Sequence, residues 1–238
     1  MSSTPKQQQS LREWGTPAQD AAMAILSVHG RGQNPEIMQD FASFLNVPGA
    51  RFYAPSAEGA TWYPEPFLEP LERNQPQLDL SLALIPQYLT IIASAGFTPE
   101  NTVLWGFSQG ACLLSHFLAT RHYRCGGAVL FTGGHLGPGP LPEYAGRPLT
   151  GMPVLMRTIA EDPWVPRWRV RETAATLTRL GANVDLKVAP GTEHIITAEA
   201  FEAASELINT LAPKKGRSPR SFAPEVTASP GPKIHEGR

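Results

Sequence analysis

Cysteine is scarce in this chain. Its 238 residues include two, Cys112 and Cys125, too few for a disulfide framework, and no Cys/His pair stands at a zinc-ligand spacing. Long hydrophobic runs are missing as well. The richest, residues 82–95, is interrupted by Pro86 and Gln87, whereas a bilayer-spanning helix needs about 20 predominantly apolar residues. The first twenty residues, MSSTPKQQQSLREWGTPAQD, lack the apolar stretch of a secretory signal. Charge is low at 17% and close to balance, with a formal net charge of -1, so no nucleic acid is expected as a partner. These shortages point to a cytoplasmic protein with reduced thiols, no transmembrane segment and no metal.

What is present is 42% hydrophobic residues, enough for a sizeable core, in a length that suits one α/β domain. Both ends differ from the middle. Residues 1–20 read as a flexible polar segment. Residues 213–238, PKKGRSPRSFAPEVTASPGPKIHEGR, hold five prolines, and six Lys/Arg against two Asp/Glu leave them at +4. Such a segment cannot bury enough apolar surface to fold. It reads as a disordered basic tail, either a solvated extension or an arm for an acidic surface.

Between the ends, short apolar runs alternate with amphipathic ones. AMAILSVHG, ARFYAP, NTVLWGF, GGAVLFTGG, MPVLMRTI and NVDLKVAP read as strands. The intervening patterns read as helices. Asn34 before Pro35 makes an N-cap and first-turn pair, and Ile37, Phe41, Phe44 and Leu45 form the apolar stripe that follows. Leu82, Ile85, Leu89 and Ile92 form another, which Pro86 must kink or delay. Gly181 ends a third at a C′ position. Continuous apolar strands alternating with helices predict a mainly parallel sheet covered on both faces, an α/β domain over residues 21–212.

Functional groups in such a sheet collect at the carboxyl ends of the strands. GFSQG, residues 106–110, lies where a strand becomes a helix. Glycine two before and two after Ser108 leaves room for a sharp turn that pushes the hydroxyl outward, at a helix amino end favourable to negative charge. A serine hydroxyl needs a base, and the base an orienting acid. Of six histidines, His29, His116, His122 and His135 fall on or beside other elements and His235 in the tail, whereas His194 stands in a loop after the last strand. Asp162 lies in the loop after the preceding strand. Glu161 is its nearest competitor and Asp185, inside a strand, a weaker one. The order Ser108, Asp162, His194 is that of an α/β-hydrolase triad. The main-chain N–H of Gln109, next to the serine, and that of Arg31, in the loop HGRGQNP, would then form the oxyanion hole. For the Arg31 side chain, simple exposure and attraction of an acidic substrate stay open.

With HGRG, GFSQGA, EDPWVP and GTEH in hand, the chain resembles the phospholipase/carboxylesterase family of α/β-hydrolases, which includes acyl-protein thioesterase-like enzymes. The dienelactone hydrolases share that fold but use cysteine where Ser108 stands. The resemblance implies an α/β-hydrolase fold and a serine esterase with Ser108, Asp162 and His194 as triad, Arg31 and Gln109 as oxyanion donors, and no cofactor. RFYAPSAEGATWYPEPF looks like the family segment that places an aromatic near the site, here Trp62. Arg31 stands where acyl-protein thioesterases often have an apolar residue. The length leaves no room for a large cap domain, so small to medium acyl esters, thioesters included, are the expected small-molecule substrates. Trp62, Phe67 and Trp164 either line an acyl pocket or merely pack the loops. A lysophospholipase or protein-deacylating thioesterase on the same scaffold is the first rival, and a non-catalytic binding protein the second. A homodimer is left open.

Overall fold

The computed structural model describes residues 10–212. Seven strands form one sheet: β1 (Leu11–Gly15), β2 (Met23–Val28), β3 (Ala50–Pro55), β4 (Thr102–Phe107), β5 (Gly127–Phe131), β6 (Pro153–Ile159) and β7 (Asn183–Ala189), in the order β1-β3-β2-β4-β5-β6-β7. All pairings are parallel except that of β1, which runs antiparallel to β3 with Leu11 opposite Pro55 and Gly15 opposite Arg51. Five α-helices complete the domain: α1 (Pro35–Ala42), α2 (Gln77–Ser94), α3 (Gln109–Arg121), α4 (Arg167–Arg179) and α5 (Ala198–Leu211).

The pattern of burial explains the layers. Every residue of β2, β4 and β5 is buried, which requires helices on both sheet faces and accounts for their unbroken apolar sequence. Alternate residues then belong to different cores. Leu26, Leu104, Leu130 and Met156 pack under α2, α3 and α4, and Ile25, Trp105, Val129 and Leu155 pack under α1 and α5. Each such side chain contributes about 1.5–3 kcal/mol by leaving water. The edge strand β7 instead alternates, with Val184, Leu186 and Val188 half-buried. No helix among the described residues is long and apolar enough to cross a membrane.

Three expectations are corrected here. Residues 11–15 are not part of a loose end: they form β1, whose Trp14 stacks on Phe52 with ring centroids 5.0 Å apart. The stripe through Phe44 and Leu45 does not continue on a helical face. α1 stops at Ala42 and buries Pro35, Met38 and Ala42, and past its end the 3.6-residue period lapses, leaving Phe44 66% exposed. Finally, α2 is not delayed by Pro86: it starts at Gln77 and continues past it, with Pro86 on its exposed side and Leu78, Leu82, Ile85, Leu89 and Ile92 against the core. Asn34 does cap α1, accepting the Ile37 N–H at 3.1 Å, and Gly181 has the positive φ, 100°, of a helix C-terminus. The tail at residues 213–238 lies outside the described residues.

The sheet order reverses between β3 and β4, which lie on opposite sides of β2. Crossovers leave in opposite directions at this point, so a crevice opens at the carboxyl ends of β2 and β4. The Gly30–Gln33 loop and Ser108 both sit there.

Candidate active site

Ser108 occupies a backbone conformation that side chains rarely adopt, with φ 53° and ψ -121°. Such a conformation costs of order 1–3 kcal/mol and persists only where its surroundings enforce it. The two flanking glycines show how. A Cβ on Gly106 would lie 2.7 Å from the Ala111 nitrogen, and one on Gly110 would lie 2.1 Å from the Val28 carbonyl oxygen. The turn therefore closes only because neither residue has a side chain, and it presses the start of α3 against the end of β2. The Ser108 N–H donates to Phe131 O at 2.9 Å, which pins the corner to the neighbouring strand.

The loops after β6 and β7 bring Asp162 and His194 to this corner. His194 Nε2 stands 2.8 Å from Ser108 Oγ, and His194 Nδ1 stands 2.7 Å from Asp162 Oδ2. A carboxylate accepts hydrogen bonds, so Nδ1 carries the ring proton and Nε2 is left to accept from the serine hydroxyl. Asp162 is itself held. Its Oδ1 accepts from the main-chain N–H of Trp164 at 2.8 Å and of Val165 at 2.9 Å. Burial alone would raise its pKa. The hydrogen bonds from His194, Val165 and Trp164 outweigh that and hold the carboxyl below its ordinary value. The Asp162 side chain is fully buried and that of His194 16% exposed. Phe107, the last residue of β4, packs a tilted ring against the imidazole at 5.2 Å.

The competitors are engaged elsewhere. Glu161 pairs with Arg167 at 2.9 Å and Asp185 with Arg157 at 2.9 Å. His29 is buried, accepting the Ala57 N–H on Nε2, with Nδ1 against Gly30 O at 2.7 Å. Burial lowers its pKa, which keeps it neutral. His116 and His135 are driven down to about 4, both first by burial, then His116 by His135 and His135 by the Arg169 charge. His122 ends α3 in the left-handed region, and His235 lies outside the described residues.

A strained serine at a strand-to-helix corner, linked through an imidazole to a buried carboxylate, sits at the switch point of a parallel sheet. The sequence matches the phospholipase/carboxylesterase family over residues 15–212. The chain belongs to that family. It is a hydrolase of carboxylic esters with the α/β-hydrolase fold. Among solved structures, a phospholipase/carboxylesterase from Dyadobacter fermentans is 33% identical, with a TM-score of 0.79 over 84% of this chain and 96% of the other. A carboxylesterase from Bacillus cereus is 20% identical, with a TM-score of 0.68 over 87% and 96%. One from Mesorhizobium loti is 19% identical, with a TM-score of 0.66 over 84% and 93%; these two share the fold. No curated protein matches the chain.

The loop at the mouth of this esterase's site is built by side chains whose purpose the sequence hid. Gly30 N–H donates to Gln33 Oε1 and Gly32 N–H to Ala60 O. Between them, the Arg31 N–H has no acceptor among the described residues, nor has the Gln109 N–H at the first turn of α3. The exposed Arg31 guanidinium is anchored by carbonyl groups. It donates to Pro64 O at 2.5 Å and Glu65 O at 2.8 Å and lies 5.7 Å from the Tyr63 ring. The Gln109 side chain is buried, with Oε1 accepting the Trp62 N–H at 2.9 Å and Nε2 donating to Tyr63 O at 2.8 Å. Both residues thus fasten residues 61–65 over the site.

Of the two readings of these aromatics, loop packing is the one that the burial of Trp62 and Phe67 fits. Trp62 is 2% exposed and donates its ring N–H to His29 O at 2.8 Å. Phe67 is buried in the same core, its carbonyl accepting from Gly137 N at 2.8 Å. The Trp164 side chain is 71% exposed; what Trp164 gives the site is its main-chain N–H. None of the three lines the apolar opening beside His194. That opening is lined mostly by apolar side chains, Phe41, Phe44, Phe107, Ile195, Ile196 and Phe201 among them, with Gln33 as a polar one. The only sequence signal for it was the Phe41/Phe44 stripe, which periodicity assigned to the core.

Proposed function

We propose that this esterase hydrolyses small to medium acyl esters, thioesters included, through a Ser108–His194–Asp162 triad and an acyl-enzyme. The observation that carries this reading is the unbroken hydrogen-bonded chain from Ser108 Oγ through the imidazole to the Asp162 carboxylate, 2.8 and 2.7 Å long. Ser108 Oγ attacks the carbonyl carbon while its proton passes to His194 Nε2. The carbonyl oxygen becomes an oxyanion and takes hydrogen bonds from the Arg31 and Gln109 N–H groups. Asp162 fixes the Nδ1–H tautomer and stabilises the imidazolium. The tetrahedral adduct collapses, the bond to the alcohol oxygen breaks, and Nε2 returns its proton to that oxygen. Water, deprotonated by His194, then attacks the acyl-enzyme and releases the acid and Ser108. The decisive experiment is labelling with a fluorophosphonate beside nitrophenyl-ester turnover. Label should reside on Ser108, and Ser108→Ala should lose both label and about 10⁶ of the turnover. A Ser108→Ala protein that retains most of its turnover overturns the reading.

A further inference from the structure

Beside His194 the surface opens into a cleft of about 420 Å³, within the ~300–1,000 Å³ of small-molecule sites. It runs between the end of α1 and the start of α5. Phe41 meets Phe107 edge-on at 5.4 Å, and Phe44 lies 5.2 Å from Phe201. Ile195 and Ile196, the two residues after His194, close the other wall. No Asp, Glu, Lys or Arg lines it. Phe44 is 66% and Ile195 45% exposed, so apolar surface is left to water in the cleft that His194 also lines.

We propose that this cleft binds the alcohol side of the ester, and that the enzyme selects substrates whose leaving group is a neutral, apolar alcohol. The inference rests on the proposed role of His194. In the tetrahedral adduct the oxyanion points at the Arg31 and Gln109 N–H groups. The departing oxygen must lie within hydrogen-bonding reach of Nε2, about 2.6–3.2 Å, to receive its proton. Whatever is bonded to that oxygen therefore begins against the imidazole, and the imidazole is itself a wall of the cleft. An alkyl or aryl group there displaces water from four phenylalanines and two isoleucines. An alcohol carrying a phosphate or carboxylate would lose its hydration with no cation to meet it.

The test compares kcat/KM, which reports only the steps through alcohol release, for two ester series. One runs from methyl to butyl acetate and the other from ethyl acetate to ethyl hexanoate. Phe44→Ala and Ile195→Ser are compared with the parent enzyme; both side chains are exposed enough for the fold not to depend on them. The parent should gain roughly 3- to 4-fold per methylene of the alcohol. Both variants should flatten that series and keep the parent's slope with acyl length. An alcohol slope that is the same in all three proteins, or a variant that flattens the acyl series instead, overturns the assignment. Fluorophosphonate labelling of the same samples separates the two levels. A labelled enzyme with an unchanged alcohol slope refutes the cleft alone, whereas a parent enzyme whose Ser108 does not label refutes the triad and the cleft together.

Discussion

Three hydrogen bonds converge on the Asp162 carboxylate, two from main-chain N–H groups and one from His194. Asparagine has nearly the same shape, but its amide donates where the carboxylate only accepts. Asp162→Asn should therefore favour the wrong imidazole tautomer and lower kcat on the order of 10⁴-fold while changing KM little. The same carboxylate carries a pH dependence of stability. Its pKa is held below the ordinary value in the folded state. The folded protein thus binds the proton later than the unfolded chain does on acidification. The stabilisation is fully present above the unfolded value of ~3.9 and is lost as pH falls through the lower folded value. The difference in Tm between the parent and Asp162→Asn should accordingly shrink as pH falls below about pH 4, as thermal melts from about pH 5 downward would show.

The corner between β4 and α3 and the loop after β2 act as one unit. Gly110 is their point of contact, where a Cβ would lie 2.1 Å from Val28 O and 2.6 Å from His29 O. Gly110→Ala has no flexible neighbour to push aside, only backbone. It should destabilise the protein by about 1–3 kcal/mol or more in urea unfolding, and lower kcat by moving α3 away from the loop after β2 that carries the proposed oxyanion donor. Arg31 tests the other half of the unit. Arg31→Ala keeps the main-chain N–H and removes the guanidinium clamp on residues 64 and 65. The expected loss in kcat is well short of the ~10²–10³ that follows deletion of an oxyanion donor. An equal loss on neutral and acidic esters would assign the guanidinium the anchoring role alone, whereas a selective loss on acidic esters would show that its exposed charge also draws anionic substrates.

At the scale of the whole molecule, β1 covers one edge of the sheet through its pairing with β3 and the Trp14–Phe52 stack. An uncovered parallel sheet edge invites pairing with other chains. Deleting residues 1–15 should lower Tm and drive the protein to higher aggregates in size-exclusion chromatography, with kcat per labelled Ser108 much less affected, because the site lies beyond β2 and β4. β1 itself was not readable from the sequence. LREWG is short and polar, and what makes it a strand is the unsatisfied edge of β3, which exists only after the sheet assembles. The sheet's inner strands were readable, because burial on both faces writes continuous apolar runs such as NTVLWGF into the chain. The same holds for Ser108 between its glycines, where backbone crowding dictates local residue choice. Asp162 and His194 were readable only through their order after successive strands, since a carboxylate and an imidazole in loops carry no local pattern. The roles of Phe44, Trp62, Arg31 and the Gln109 side chain were decided by tertiary structure alone. Period and composition report how apolar or charged a side chain is, but the partner it meets, whether a neighbouring carbonyl, a buried N–H or open water beside the imidazole, depends on segments tens of residues away.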